Sequence, residues 1–224
     1  MNLEKVTADE IGEDHIGSAK LSPIRDDAFD LSDDEKIEII QEHFAKIMHA
    51  LGLDLEDDSL KGTPYRVAKM YVKEIFEGLN PKNKPVARQF SNHYEYNDMV
   101  VEKNIQVTSF CEHHFLPFIG KAHVAYISSG QKVIGLSKIN RIVDYYSRRP
   151  QVQERLTLQI ANELQNALET EDVAVFIDSK HLCVSMRGIQ DVSSTTITTE
   201  FRGAFKEEAT QRKFIDFIKT NTEI

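Results

Sequence analysis

The amino-acid sequence predicts an α+β protein built around a largely antiparallel sheet. Apolar residues recur every three or four positions before residue 80 and again between residues 137 and 168, which is the period of amphipathic helices. Elsewhere apolar and polar residues alternate, which is the period of half-buried strands. The order along the chain is helices, a hairpin, two helices and then three strands. This grouping favours an α+β fold over one in which strands and helices alternate.

Residues 1–30 carry eight acidic and three basic residues, and their scattered apolar residues cannot order a segment by burial. We therefore predict a flexible acidic N-terminal tail over residues 1–30 and a helical region over residues 31–95. Ser32, with Glu35 three residues later, forms a capping-box signature. It predicts the start of an amphipathic helix that ends near Gly52.

A second helix is predicted from Thr63, as its cap, to Gly78, with Pro64 in the first turn. Residues 96–224 form the predicted main domain. Its elements follow from the same two periods: strands at 101–109 and 121–127, a helix from Ser137 that Pro150 ends, a helix at 152–168, strands at 173–177, 181–187 and 195–201, and a last helix at 207–219.

Composition and charge narrow the classes of function. A formal net charge of −9 argues against a nucleic-acid-binding surface spread over the whole molecule. The N-terminus lacks a secretory signal pattern, and no run of about 18 apolar residues occurs, so we expect a cytoplasmic protein without a membrane span. Two cysteines in such a chain favour metal binding or catalysis over a disulfide framework.

The stretch SFCEHHFLPFIG, residues 109–120, concentrates metal-binding side chains. A turn at this point would pair Cys111 with His114, because residues three apart then lie close together, whereas a strand would pair Cys111 with His113. The residues alone leave both pairings open. The other cysteine, Cys183, follows His181 by two positions, and a strand there would place both side chains on one face, together with Ser185 and Arg187.

Two thiolates and one imidazole would make a three-ligand site with an open fourth position, the arrangement of catalytic zinc. A water in that position would have its pKa lowered to about 7. Two alternatives stay open at this point. Both histidines with both cysteines would close a structural zinc site, and buried cysteine and histidine also occur as ordinary core residues.

Residues 132–155 include six basic and two acidic residues. A basic pocket in an acidic protein suits a small polyanion such as a phosphate ester. The alternative is a solvated helix face that binds nothing.

Six motifs, in order, resemble GTP cyclohydrolase I: GTPYRVAKM, SFCEHHFLPFIGKAHVAYI, VIGLSKINRIV, RRPQVQERLTLQI, HLCVSMRGI and the threonine run before FRGAF. The resemblance extends from about Leu31 to the C-terminus. It implies conversion of GTP and water to 7,8-dihydroneopterin triphosphate and formate, the first step of tetrahydrofolate and pterin biosynthesis. It also implies the family's tunnelling fold for residues 96–224, with helices on one face of the sheet. In that fold, sheets of several chains close a barrel, and two rings form a toroidal homodecamer with active sites at subunit interfaces.

The resemblance also implies roles for individual residues. Zn²⁺ would be held by Cys111, His114 and Cys183, which selects the turn pairing. The catalytic residues would be His113, His181 and Ser137, with His181 protonating N7 of guanine and Ser137 contacting the sugar. The implied substrate contacts are Glu154 and Gln153 for the base or ribose, Lys138, Arg141 and Arg187 for the triphosphate, and Arg66 with Lys69 from a neighbouring chain.

Two other classes of protein share parts of this pattern. A non-catalytic nucleotide-binding protein with a structural zinc would keep the two cysteines and His114 but would not need His181 or Ser137. A zinc deaminase acting on a nucleobase is disfavoured, because the sequence lacks the C-x-x-C pair of the usual deaminase signature.

Overall fold

A computed structural model describes residues 19–86, 89–128 and 132–220. The helices are α1 (Asp33–Ala50), α2 (Thr63–Met70), α3 (Leu136–Ser147), α4 (Gln153–Leu168), the single turn α5 (Leu182–Ser185) and α6 (Glu208–Lys219). The strands are β1 (Gln89–Ser91), β2 (Met99–Cys111), β3 (Pro117–Ile127), β4 (Lys132–Ile134), β5 (Pro150–Gln151), β6 (Val173–His181) and β7 (Thr196–Phe201). Short helical turns follow α2 at Tyr71–Ile75, Glu77–Leu79 and Pro81–Asn83, and another precedes α6 at Gly203–Lys206.

The main sheet has five strands in the order β5-β2-β3-β6-β7. The pairs β2/β3, β3/β6 and β6/β7 are antiparallel, and only the two-residue β5 pairs in parallel with β2. The predicted α+β class with a largely antiparallel sheet is therefore confirmed. Strands β1 and β4 form a separate antiparallel ribbon.

The core lies between the sheet and the helices α3 and α4. Val107, Val124 and Val175, from the three central strands, are fully buried against Ile142 of α3 and Leu156 of α4. Burial of these side chains stabilises the layer by roughly 1.5–3 kcal/mol each. A smaller cluster on the opposite face, which includes Ala125, Ala174 and Phe214, packs α6 against the sheet.

Helix α1 begins as the sequence predicts. The Ser32 hydroxyl accepts a hydrogen bond from the Glu35 N–H at 3.3 Å, and the Glu35 carboxylate accepts one from the Ser32 N–H at 2.7 Å. Helix α2 has Pro64 in its first turn, but its cap is Gly62, and Thr63 is already helical. The predicted cap at Thr63 is therefore one residue too late.

Two expectations for the main domain are corrected. The strands predicted at 173–177 and 181–187 are replaced by a single strand, β6, which ends at His181 because the last ladder pair with β3 joins Phe118 to His181. Residues 182–185 instead form a helical turn. Helix α3 begins at Leu136, one residue before the predicted start at Ser137, and Gly135 takes the cap position.

The tail predicted for residues 1–30 lies mostly in residues 1–18, outside the described residues, and the domain boundaries stay predictions. Residues 19–30 form bends and turns, and the Ala19 carbonyl accepts a hydrogen bond from Arg155 at 2.8 Å. Within the described ranges, every helix is too short or too polar to cross a membrane.

Candidate functional site

Strands β2 and β3 are joined by a tight turn at the centre of the SFCEHHF stretch. The Cys111 N–H donates to the Leu116 carbonyl at 2.8 Å, and the Phe115 N–H donates to the Cys111 carbonyl at 2.9 Å. Phe115 adopts a left-handed conformation with φ of 54°. The backbone is therefore a turn at this point and not an extended strand, and it carries His113 and His114 on its exposed tip.

Two cysteines and a histidine converge behind this turn. The ligand atoms of Cys111, His181 and Cys183 all lie within 4.8 Å of one another, and Cys111 is only 5% exposed. Atoms bound to one tetrahedral zinc lie about 3.3–3.8 Å apart, given bond lengths of about 2.0–2.3 Å. The group is thus near the required size, and two sulfurs with one imidazole are donors that suit zinc.

Burial changes the pKa values of Cys183 and His181 in this cluster. Loss of hydration, with the neighbouring Cys111 thiol as the next cause, raises the pKa of the Cys183 thiol to about 11. Without a cation the Cys183 thiol is therefore protonated at neutral pH, and metal binding must release its proton. Burial also lowers the pKa of His181, an effect that the Glu154 carboxylate opposes.

His181 is held in one orientation by its neighbours. Its Nε2 lies 2.7 Å from Oε1 of Gln153, and its ring stacks on Phe118 with centroids 4.6 Å apart. The Gln153 side-chain nitrogen donates to the Ile177 carbonyl, the Thr196 carbonyl and the Thr198 hydroxyl, at 3.2, 2.9 and 3.1 Å. These three acceptors fix the amide so that its oxygen faces the imidazole. Gln153 is 1% exposed, and the predicted contact with a base or ribose stays a prediction.

The histidines on the turn have other neighbours. His113 Nδ1 lies 3.6 Å from the Cys111 sulfur, and His114 Nε2 lies 2.8 Å from a guanidinium nitrogen of Arg187. The structure therefore groups His181, and not His114, with the two sulfurs. The sequence pattern predicted His181 beside Cys183, but it did not predict that His181 in place of His114 would lie next to both sulfurs.

The basic segment divides into two kinds of residue. Lys132 forms an ion pair with Glu169, and Arg148, Arg149 and Arg155 contact groups of the protein itself. Their charges are therefore engaged internally. Lys138 and Arg141 lie on the outer side of α3, where Lys138 is partly exposed and Arg141 exposed.

The remaining predicted contacts are placed as follows. Glu154 is exposed in the first turn of α4, and Ser137 is exposed near the start of α3. On α2, Lys69 is exposed, and Arg66 donates to the Thr63 hydroxyl at 2.8 Å. A groove of about 540 Å³ between α1 and residues 71–80 is mostly apolar and contains none of the predicted site residues. A second cavity, of about 560 Å³, lies beside the turn and is lined in part by Glu112, His113 and Phe115.

Comparison with known proteins gives one consistent result. The family model described as GTP cyclohydrolase I matches residues 40–219, a span that contains every candidate residue above. The protein "GTP cyclohydrolase 1" of Flavobacterium johnsoniae is 62% identical over 215 residues, which is 96% of each chain. Proteins of the same name from Erwinia tasmaniensis and Vibrio cholerae are 49% identical over 199 residues and 52% identical over 182 residues. These matches cover 88% and 81% of this chain, and 90% and 83% of the respective relatives.

Proposed function

The chain belongs to the GTP cyclohydrolase I family, and on this basis we propose that it converts GTP and water to 7,8-dihydroneopterin triphosphate and formate. This reaction opens tetrahydrofolate and pterin biosynthesis. The observation that carries the proposal is the convergence of two thiols and an imidazole, with the exposed Glu154 carboxylate near enough to raise the pKa of that imidazole. The predicted cytoplasmic location stays a prediction.

Zn²⁺ is the proposed cofactor, held by Cys111, Cys183 and one imidazole. When bound, it supplies Lewis-acid activation of water. The donor set supports this, since two sulfurs with one nitrogen leave a fourth position open. We assign the imidazole to His114, as the family resemblance implies, and this assignment requires the His114 ring to leave its contact with Arg187. His181 is the second candidate, because its ring already lies beside the sulfurs.

With His114 as the ligand, His181 serves in proton transfer. C8 of guanine is a poor electrophile until N7 gains a proton, and the imidazolium form of His181 is the proposed donor of that proton. Burial lowers the pKa of His181, which makes this imidazolium a stronger acid but a less populated one at neutral pH. Gln153 and Phe118 hold the ring and so limit the geometries in which this occurs. His113, on the turn tip beside Cys111, is proposed to move protons during the second hydrolysis that releases formate.

Guanine is recognised through Glu154 in this proposal. A carboxylate accepts two hydrogen bonds from the N1 and N2 donors of guanine, and adenine offers no such pair. An acceptor left unpaired in the closed complex would cost roughly 1–3 kcal/mol. Ser137 is proposed to contact the ribose during its opening and rearrangement.

The triphosphate is proposed to bind Lys138, Arg141 and Arg187, with Arg66 and Lys69 contributed by a neighbouring chain. Sites shared between chains require an oligomer, and we propose the family's toroidal homodecamer. A mass in solution close to the 25.6 kDa of one chain would contradict this assembly.

The proposed activity is tested with metal-replete protein incubated with GTP, and with ATP as the control. We expect formate and, after oxidation, a fluorescent pterin from GTP alone. GTP that binds but stays intact would contradict the activity and would support a non-catalytic nucleotide-binding protein with a structural zinc.

A further inference from the structure

A largely buried ion pair between Arg155 and Glu112 joins the turn of the candidate site to helix α4. Arg155 lies in the first turn of α4, and its side chain is 3% exposed. Its two terminal nitrogens donate to the two Glu112 carboxylate oxygens at 2.6 and 3.0 Å, and its Nε donates to the Ala19 carbonyl at 2.8 Å. All three nitrogens are engaged inside the protein. Arg155 is therefore unsuited to bind the triphosphate, although it belongs to the basic segment.

Glu112 lies in the turn between the candidate metal ligand Cys111 and the two turn histidines, His113 and His114. Its N–H donates to the Gln151 carbonyl of β5 at 3.0 Å, while its carboxylate is held by Arg155. The main chain and the side chain of this one residue are thus attached to two different elements.

The first turn of α4 contacts both halves of the candidate site. The Gln153 amide oxygen accepts a hydrogen bond from His181, and Arg155, two residues later, donates to Glu112 in the turn that carries Cys111. A bidentate guanidinium–carboxylate pair is charge-assisted and restricts orientation as well as distance. The first turn of α4 therefore holds the His181 imidazole and the turn at Cys111 in fixed positions relative to each other.

We propose that Arg155 is a positioning residue, which fixes the turn bearing Cys111, His113 and His114 through its fork on Glu112. The consequence for catalysis rests on the proposed function, whereas the consequence for the turn itself does not. Groups that hold metal ligands in place typically change metal affinity by about 10–100-fold when they are mutated.

Two variants separate positioning from simple stabilisation. Arg155→Lys keeps the positive charge but loses the fork, and Glu112→Gln keeps the shape but loses the charge. The matched control is Arg202→Lys, because Arg202 also donates to a glutamate, Glu200, at 2.7 Å and is 17% exposed, but lies beyond β7. All three changes disturb a partly or fully buried ion pair.

The first measurement is amide hydrogen exchange of the metal-free proteins. We expect faster exchange over residues 111–116 in Arg155→Lys and Glu112→Gln, because the amides of Cys111, Glu112 and Phe115 are hydrogen-bonded within or beside this turn. Exchange there should be unchanged in the control. The second measurement is zinc affinity by competition with a chelator, which should fall about 10–100-fold in the two variants and not in the control.

Exchange over 111–116 that stays at the wild-type rate in both variants would overturn the proposal, whatever their thermal stability. If Arg155→Lys fails to fold, Glu112→Gln decides alone, since it leaves the arginine in place. Neither the metal nor GTP enters the exchange measurement. A failed GTP assay would therefore contradict the proposed function without touching this inference.

Discussion

His114 and His181 are the two proposed candidates for the imidazole ligand of the metal site. His114 lies on the turn beside Cys111 and contacts Arg187, and His181 lies next to both sulfurs with its Nε2 turned to Gln153. We expect His114→Ala to lose the metal. His181→Ala should keep metal and assembly but lose turnover, because the proton donor for N7 is absent.

Metal analysis of the purified variants checks this assignment. His43→Ala, an exposed histidine of α1, is the control and should retain both metal and turnover. A His181→Ala protein that sheds its metal, beside a His114→Ala protein that keeps it, would show that the ligand roles are reversed.

Glu154 determines the choice of base in the proposed complex. Glu154→Gln replaces one of two acceptor oxygens by a donor, so we expect kcat/KM for GTP to fall by about 5–150-fold, the equivalent of roughly 1–3 kcal/mol. Steady-state kinetics with Glu207→Gln as control measures this, since Glu207 is exposed at the start of α6. Equal kinetics in the two variants would remove Glu154 from recognition.

At the scale of elements, the segment after α2 depends on close contact with the end of α3. The Gly78 N–H donates to the Arg148 carbonyl at 2.9 Å, and a Cβ at Gly78 would overlap the backbone carbonyl oxygens of Tyr145 and Arg148. Because backbone atoms cannot rotate away, we expect Gly78→Ala to lower the free energy of unfolding by about 1–3 kcal/mol. The comparison variant is Gly135→Ala, whose Cβ would meet Phe90 at 3.4 Å, an ordinary contact, so its smaller loss should reflect only the poorer cap that Ala provides for α3. Denaturant titration compares them, and equal midpoints would refute the close packing.

His123, on strand β3, makes the stability of the fold depend on pH. This residue is 8% exposed, its ring meets Phe176 edge-on, and burial lowers its pKa. In the unfolded chain His123 has a pKa of about 6.5, so it takes up a proton at a higher pH there than in the folded protein. The stability that the neutral, buried His123 allows is therefore complete above about pH 6.5 and is lost as the pH falls through the lower folded pKa. We expect His123→Gln to lose less stability than the wild type between pH 7.5 and pH 5.5. Thermal unfolding at both pH values measures the difference, and identical losses would contradict it.

For the whole molecule, patterns that act locally were predictable, whereas of the contacts between distant segments the sequence indicated the meeting of Cys111 with Cys183 but not most others. The capping box at Ser32 and the period of α4 depend on neighbours in sequence, and both follow from the residues alone. The helical turn at 182–185 could not be predicted, because it depends on where β3 ends. Nor could the pairing of Arg155 with Glu112, since many positively charged residues in the sequence could equally have faced that carboxylate.

The central claim is that Cys111 and Cys183 hold a metal at which GTP loses C8. The most direct measurement follows GTP labelled with ¹⁴C at C8, incubated with metal-replete wild-type protein and with Cys183→Ser. The predicted result is labelled formate in equal amount to the pterin product from the wild type, and neither product from the variant, which should also lack the metal. Labelled carbon that stays in the purine ring with fully metal-loaded wild-type protein would contradict the claim.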